Sequence, residues 1–339
     1  MRPSFFHHLH PPTLPTPQAR WRYTLGAGGL AVYFTLVLIL TGALEMFYYV
    51  PTPAEAALSV QTITYLVPLG GFIRNLHYWA TQGLLLTVGL HTLRVILTGA
   101  YARPRRFNYW LGLGLLVFSL GLAFSGYVLR WDEGVRWALV TGTNLLKTIP
   151  GLGDWLYGFA VGGSAIGPAT LTRFYAWHIF GLTLLIVIVG VWHLFRVRRD
   201  GGIAAPPPTA RNDGRLSRNE LVRREALAAL VASAALVLLA ALIPAPIAPP
   251  MSVSALTANA RAPWFLLWIQ QLLRWGDAFW MGVALPVGLL TLIACVPLLS
   301  RPPATDVGRW FARPSRAVQI GAVFITALLA LLTLLALRP

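Results

Sequence analysis

The sequence predicts an all-α integral membrane fold of seven spans, a four-helix bundle followed by a three-helix unit, and three observations carry that prediction. Apolar runs of about twenty residues, the length that crosses a bilayer, fall near 25–50, 74–99, 109–130, 171–197, 223–243, 279–299 and 316–337. Apolar side chains make up 56% of the chain, charged ones 11%, and the mean hydropathy is +0.64, which excludes a water-soluble core. Four of the seven histidines lie inside two of the runs as evenly spaced pairs. The runs do not alternate apolar and polar residues, so a transmembrane β-barrel is excluded.

Residues 1–24 read as an interfacial arm whose prolines prevent a long helix, with His7, His8 and His10 in a solvated or interfacial tail. The arm lacks a small-residue cleavage site, so the first span is expected to be a retained helix and not a signal peptide. The first span carries Gly28 and Gly42, the third Gly112 and Gly126, and both pairs are fourteen apart. A glycine admits the close approach of a flat group or a second backbone.

The second span holds His77 and His91, fourteen residues apart, and the fourth holds His178 and His193, fifteen apart. At 1.5 Å per residue each pair is separated by roughly 21–22 Å, most of a hydrocarbon core of about 30 Å. At 100° per residue the two intervals rotate by about −40° and +60°, so each pair stays broadly on one side of its helix. If the helices face each other, the histidines form two stacked, opposed pairs. Two imidazoles per level are what a six-coordinate haem iron takes when the macrocycle supplies the other four ligands. Ionisable side chains inside a span are costly and usually functional, and four in matched positions leave little room for a packing role. Arg74, Arg94 and Arg173 flank the histidines at the span ends, where guanidinium groups suit the carboxylates of a haem edge.

Residues 131–170 form a long loop with Trp131, Asp132, Glu133 and a glycine-rich VGGSAIGPAT segment, and such loops tend to be functional or to carry short helices. A roof over a binding pocket is the expected role. Residues 201–219 read as a linker by their glycines, three consecutive prolines and arginines. The expected organisation is therefore an arm at 1–24, a four-helix unit at 25–200, a linker at 201–219 and a three-helix unit at 220–339. The last unit contains no histidine, so it can supply no imidazole ligand.

The net charge of +16 suggests nucleic acid for a soluble chain, but its distribution speaks for a membrane. Nineteen of the 27 Lys and Arg fall on the N-terminal side of the spans and eight on the other. By the retention of positive loops in the cytoplasm, the N-terminus is expected inside and the C-terminus outside, in an inner membrane of bacterial type. The single Cys295 lies in a span, so neither a disulfide framework nor covalent haem attachment through C-x-x-C-H is expected.

The paired glycines, the R-x-x-H-x13-H-x-x-R run from Arg74 to Arg94, GYVLRWDE at 126–133, TLTRFYAWH at 170–178 and His193 followed by Arg196, Arg198 and Arg199 resemble the cytochrome b family. These are the central subunits of bc-type and bf-type quinol oxidoreductases. The spacing in the fourth span and the Trp131–Asp132 pair are similar to the plastid and cyanobacterial form. PAPIAPP, then APWFLLWIQQLLRW and two further spans, resemble the subunit IV portion of that form, here fused in one chain. The resemblance implies two non-covalent b-type haems, an outer one on His77 and His178 and an inner one on His91 and His193, with Arg74, Arg94 and Arg173 at the propionates. It implies an outer quinol pocket under the 131–170 loop and Pro263–Phe265, including Trp264, and an inner quinone site near Arg198. It also implies a Rieske-type iron–sulfur protein, a c-type cytochrome, membrane lipid and a homodimer within a larger complex, and no nucleic acid. The activity implied is that of the cytochrome b subunit of a quinol–cytochrome c type oxidoreductase.

The chain departs from the family at two places. Ala262-Pro263-Trp264-Phe265 stands where members carry Pro-Glu-Trp-Tyr, and Arg130 replaces a proline after the third span. Proline cannot act as a base, which leaves Asp132, Glu133 and Asp277 as candidate proton acceptors. The alternative reading is a transmembrane di-haem conduit in a non-bifurcating redox complex; from another class, a haemless transporter or scaffold would lack Soret absorbance. Gly26 occupies the position of the cysteine that holds an extra covalent haem in the bf form, so that haem is not expected.

Overall fold

The computed structural model describes residues 10–206, 214–251 and 261–338; His7, His8 and the middle of the expected linker lie outside them. Among these residues seven helices are long and apolar enough to span a membrane, and the chain is a multi-pass membrane protein. They are α1 (Ala27–Glu45), α3 (Gly70–Leu97), α4 (Arg106–Val128), α7 (Pro168–Arg199), α8 (Arg218–Leu242), α10 (Trp280–Leu299) and α11 (Arg313–Ala336). Shorter helices connect them: α2 (Ala56–Tyr65), α5 (Glu133–Lys147), α6 (Gly153–Val161) and α9 (Trp264–Leu273).

Each span coincides with an apolar run, and several extend further because their first turns carry charge into the headgroup layer. α8 shows this best. Ser217 caps it by accepting a hydrogen bond from the Glu220 N–H at 3.3 Å, the serine-to-glutamate signature of a helix start. Arg223 and Arg224 then pair with Glu220 at 2.7 and 2.9 Å, so the polar first turn is satisfied before the apolar stretch begins. At the other end of α7, Gly201 and Gly202 take φ of 97° and 78°, conformations that favour glycine, and turn the chain out of the helix.

α1 packs along α3, and α7 along α4, giving the four-helix bundle. Around it α8 lies on α1 and α3, α10 reaches α4, and α11 leans on α3. Named bonds fix these attachments. Asn75 of α3 donates to Ala240 O and accepts from Ala245 N, both at 2.8 Å, and Trp79 donates to Ile243 O. Tyr109 and Trp110 of α4 donate to the Ile293 and Ala294 carbonyls of α10, and Gln319 of α11 donates to Leu97 O.

Successive spans run in opposite directions, so all connections fall on two sides. The linker side gathers the arm, the α3–α4 turn, the linker and the α10–α11 turn. There the arm strand β1 (Thr13–Pro15) pairs antiparallel with β2 (Arg215–Ser217), and Leu14, Ala19, Leu216 and Leu221 form a small buried cluster beneath. On the opposite side the 131–170 stretch holds α5 and α6. Trp131 packs there in a buried cluster with Ala56, Val128, Leu139, Leu171 and Phe174. Leu145 of α5 and Leu273 of α9 both close on Gly282 of α10, which ties the roof to the C-terminal helices.

Candidate functional site

α3 and α7 carry the four histidines, and the bundle turns them towards each other in two levels. The ring centroids of His77 and His178 are 6.3 Å apart on the side opposite the linker, and those of His91 and His193 are 6.3 Å apart on the linker side. The intervals of fourteen and fifteen residues give the same separation because α7 contains a π-helical turn at Trp177–Gly181, which includes His178 itself. A π turn absorbs one extra residue without advancing the helix. The fifteen-residue interval then turns like fourteen, about −40° and not the +60° expected for an uninterrupted helix.

Each histidine edge rests against one glycine. A Cβ on Gly42 would lie 3.1 Å from His77 Cε1, on Gly28 3.4 Å from His91 Cε1, on Gly112 3.1 Å from His193 Cε1, and on Gly126 2.7 Å from His178 Cε1. The glycines were expected to admit a flat group; what they admit directly is the Cε1–Nδ1 edge of the imidazole.

The Nδ1 atoms are engaged from behind. His178 Nδ1 lies 3.1 Å from Leu122 O and His193 Nδ1 3.1 Å from Asn108 O, and since a carbonyl only accepts, Nδ1 carries the proton in both. The Thr41 hydroxyl donates to Val37 O at 2.8 Å and so accepts from His77 Nδ1 at 2.9 Å. Ser125 Oγ stands 3.0 Å from His178 Nδ1. In these three rings Nε2 is left with its lone pair, the state a metal requires. The sequence reading missed these partners, although both hydroxyls directly precede a site glycine, as Thr41-Gly42 and Ser125-Gly126.

A metal–imidazole bond is roughly 2 Å long, and an imidazole centroid lies about 1.1 Å from Nε2, so two imidazoles on one iron would have centroids about 6.2 Å apart. Both levels meet that separation. Among the described residues no group of three or more His, Cys, Asp and Glu could hold a bare metal ion. The donor set thus suits an iron that brings its own equatorial ligands, and the residues fit a haem at each level.

The flanking arginines are held by backbone carbonyls. Arg74 is buried and donates to Ala245 O at 3.3 Å and Pro246 O at 2.5 Å. Arg94, also buried, donates to Ala204 O at 2.8 Å and lies 4.6 Å over the Tyr23 ring, while its Nε has no hydrogen-bond partner. Arg173 donates to Gly158 O at 3.1 Å and also to Phe159 O. Arg198 is half-buried in the last turn of α7 on the linker side.

The candidate acids are also engaged. Asp132 Oδ2 accepts from Arg130 Nη2 at 2.6 Å and from Ala248 N at 3.1 Å. Asp277 Oδ1 caps the Phe279 and Trp280 N–H groups, and Glu133 lies 3.9 Å from Arg136. Pro263 precedes the first turn of α9, Trp264 donates to Gln82 Oε1 of α3 at 2.6 Å, and Phe265 meets Trp264 edge to face. Tyr49 donates to Leu129 O at 2.8 Å, and burial, with the stacked Tyr175 phenol, pushes its hydroxyl above the ordinary phenol range.

Residues 82–255 match the family described as cytochrome b (N-terminal)/b6/petB. The chain is 40% identical over 187 residues to cytochrome b6 of Heliomicrobium gestii, covering 55% of this chain and 88% of that one. It is 38% identical over 174 residues to cytochrome b6 of Chlamydomonas reinhardtii, covering 51% and 81%. The fold matches a chain of a hyperthermophilic respiratory Complex III with a TM-score of 0.82 at 22% identity, over 94% of this chain and 84% of that one, so the likeness takes in the C-terminal helices. With the family match spanning half the sequence, this chain belongs to the cytochrome b/b6 family.

Proposed function

We propose that this protein is the di-haem cytochrome b subunit of a bc-type quinol oxidoreductase in an inner membrane of bacterial type. Its N-terminus would be cytoplasmic, and its partners a Rieske-type iron–sulfur protein and a c-type cytochrome. The observation that carries the reading is the equal 6.3 Å opposition of two histidine pairs, one near each side of the membrane. When bound, a b-type haem at each level supplies a one-electron carrier, and the two together span the bilayer between an outer and an inner quinone site.

The chain's own contribution is positional. His77 and His178 hold the outer level, His91 and His193 the inner one, and Thr41, Ser125 and the Leu122 and Asn108 carbonyls fix the tautomer and tilt of three of those rings. Arg74, Arg94 and Arg173 place positive charge beside the two levels, where it favours carboxylate edges. Residues 25–200 carry this machinery, and 220–339 buttress it and complete the outer pocket at the Leu145–Leu273–Gly282 junction.

A second reading has a specific observation behind it. Pro263 cannot accept the proton that quinol oxidation releases, and Asp132 and Asp277 are occupied by structural bonds. In that reading the protein carries electrons between quinone and another partner without bifurcation.

Single replacements test the ligand assignment. His77→Ala or His178→Ala should leave one haem of the inner level, and His91→Ala or His193→Ala one of the outer level, as counted by pyridine haemochrome. Retention of two haems in any of the four variants overturns the assignment.

A further inference from the structure

Glu45 stands partly buried at the end of α1 with one carboxylate oxygen shielded from solvent, and neither the ligand set nor the quinone pockets use it. It ends α1, three residues and about 4.5 Å beyond Gly42, the glycine against which His77 rests. Its Oε1 is buried and has no hydrogen-bond partner. The charged group that faces it is Arg74 of α3, with Arg130, Asp132 and Tyr65 behind that arginine, while Tyr49 follows one turn later with its N–H on the Glu45 carbonyl. Yet among the described residues no salt bridge within 4.0 Å joins Glu45 to Arg74, whose guanidinium donates to Ala245 O and Pro246 O. An ordinary structural ion pair therefore does not explain this acid. A buried acid inside a span is expensive, and an unpartnered carboxylate oxygen there is relieved most simply by a proton.

We infer that Glu45 is the proton partner of the outer level, binding one proton at Oε1 when one electron arrives there and releasing it when the electron leaves. The inference rests on the ligand reading above. One negative charge added to the outer level is balanced by one proton drawn from the outer aqueous phase, so the net charge inside the membrane is unchanged. The electron comes from the quinol or, in a titration, from the reductant; the carboxylate forms an O–H bond and breaks none. Arg74 stands beside both the acid and the outer level and is the electrostatic link between them.

The test is a redox titration of the purified two-haem protein over a range of pH, with the outer midpoint identified as the one missing in His77→Ala. In the native protein the outer oxidised-to-reduced ratio at fixed potential should change tenfold per pH unit, which is about 59 mV for one electron. Glu45→Gln, close in shape and unable to ionise, should lose that slope while the inner midpoint keeps its behaviour. A slope that persists in Glu45→Gln, or an outer midpoint independent of pH in the native protein, overturns the inference. Native protein alone gives a second reading that does not depend on the variant folding. The reduced-minus-oxidised infrared spectrum should gain a protonated-carboxyl C=O band, and its absence also overturns the inference. Loss of the ligand reading is distinguishable, because native protein would then hold fewer than two haems by pyridine haemochrome.

Discussion

At the residue scale, the glycine contacts grade themselves. A methyl on Gly126 would stand 2.7 Å from His178 Cε1, a distance Cβ atoms do not tolerate, whereas on Gly28 it would stand 3.4 Å from His91, an ordinary contact. Overpacking of this kind costs typically about 1–3 kcal/mol, and here it displaces His178 from its place opposite His77. Gly126→Ala should therefore reduce haem content at the outer level strongly, and Gly28→Ala should leave inner haem content close to native, both read from reduced difference spectra. Pro263 defines a second expectation. Restoring a base with Pro263→Glu should raise quinol oxidation by about 10²–10⁴-fold if its loss limits the outer site; steady-state quinol turnover measures this, and an unchanged rate removes Pro263 from the account. The histidines were legible in the sequence because ionisable residues stand out in an apolar span. Thr41 and Ser125 were not, because a hydroxyl in a helix is ordinarily satisfied by its own backbone, as Thr41 also is towards Val37 O.

At the scale of elements, the π turn of α7 decides whether two unequal intervals can serve equal levels. Removing Ile179 from that turn should let it relax to α-helix and leave a fourteen-residue interval like that of α3, with both haems retained. Inserting an alanine between Leu182 and His193 should instead rotate His193 by about 100° and abolish the inner haem. Spectroscopic haem counts separate the outcomes, and loss of the inner haem on the deletion contradicts the register argument. All seven spans were legible from hydropathy, since a bilayer dictates their length. The π turn was not, because one inserted residue leaves no mark in composition. Nor were the positions of α2, α5 and α6, which are too short to show as apolar runs; Ala56 of α2 and Leu139 of α5 pack in the roof cluster with Trp131.

At the scale of the whole molecule, the proposed orientation rests on the positive charge of the linker side and on the seven spans found among the described residues. A cysteine introduced as Gly214→Cys in a Cys295→Ala background should react with an impermeant maleimide only from the cytoplasmic side of sealed membranes. Labelling from outside would invert the orientation and exchange the two levels. The sequence divided the chain into a four-helix and a three-helix unit, and contacts such as Asn75 with Ala240 and Ala245 show how closely the second part is laid on the first. That intimacy was not legible, because span sequences record their lipid-facing length but not which neighbour each helix chooses.

The pairing of β1 with β2 also sets a clock. Thr13 leaves the ribosome 204 positions ahead of its partner Ser217, and at about 5–20 residues per second that delay is roughly 10–40 s. During that interval four spans enter the membrane while the arm has no strand to join. The arm can close over the linker side only after the chain has passed the fourth span, so the last event of N-terminal assembly is timed by the synthesis of the C-terminal half.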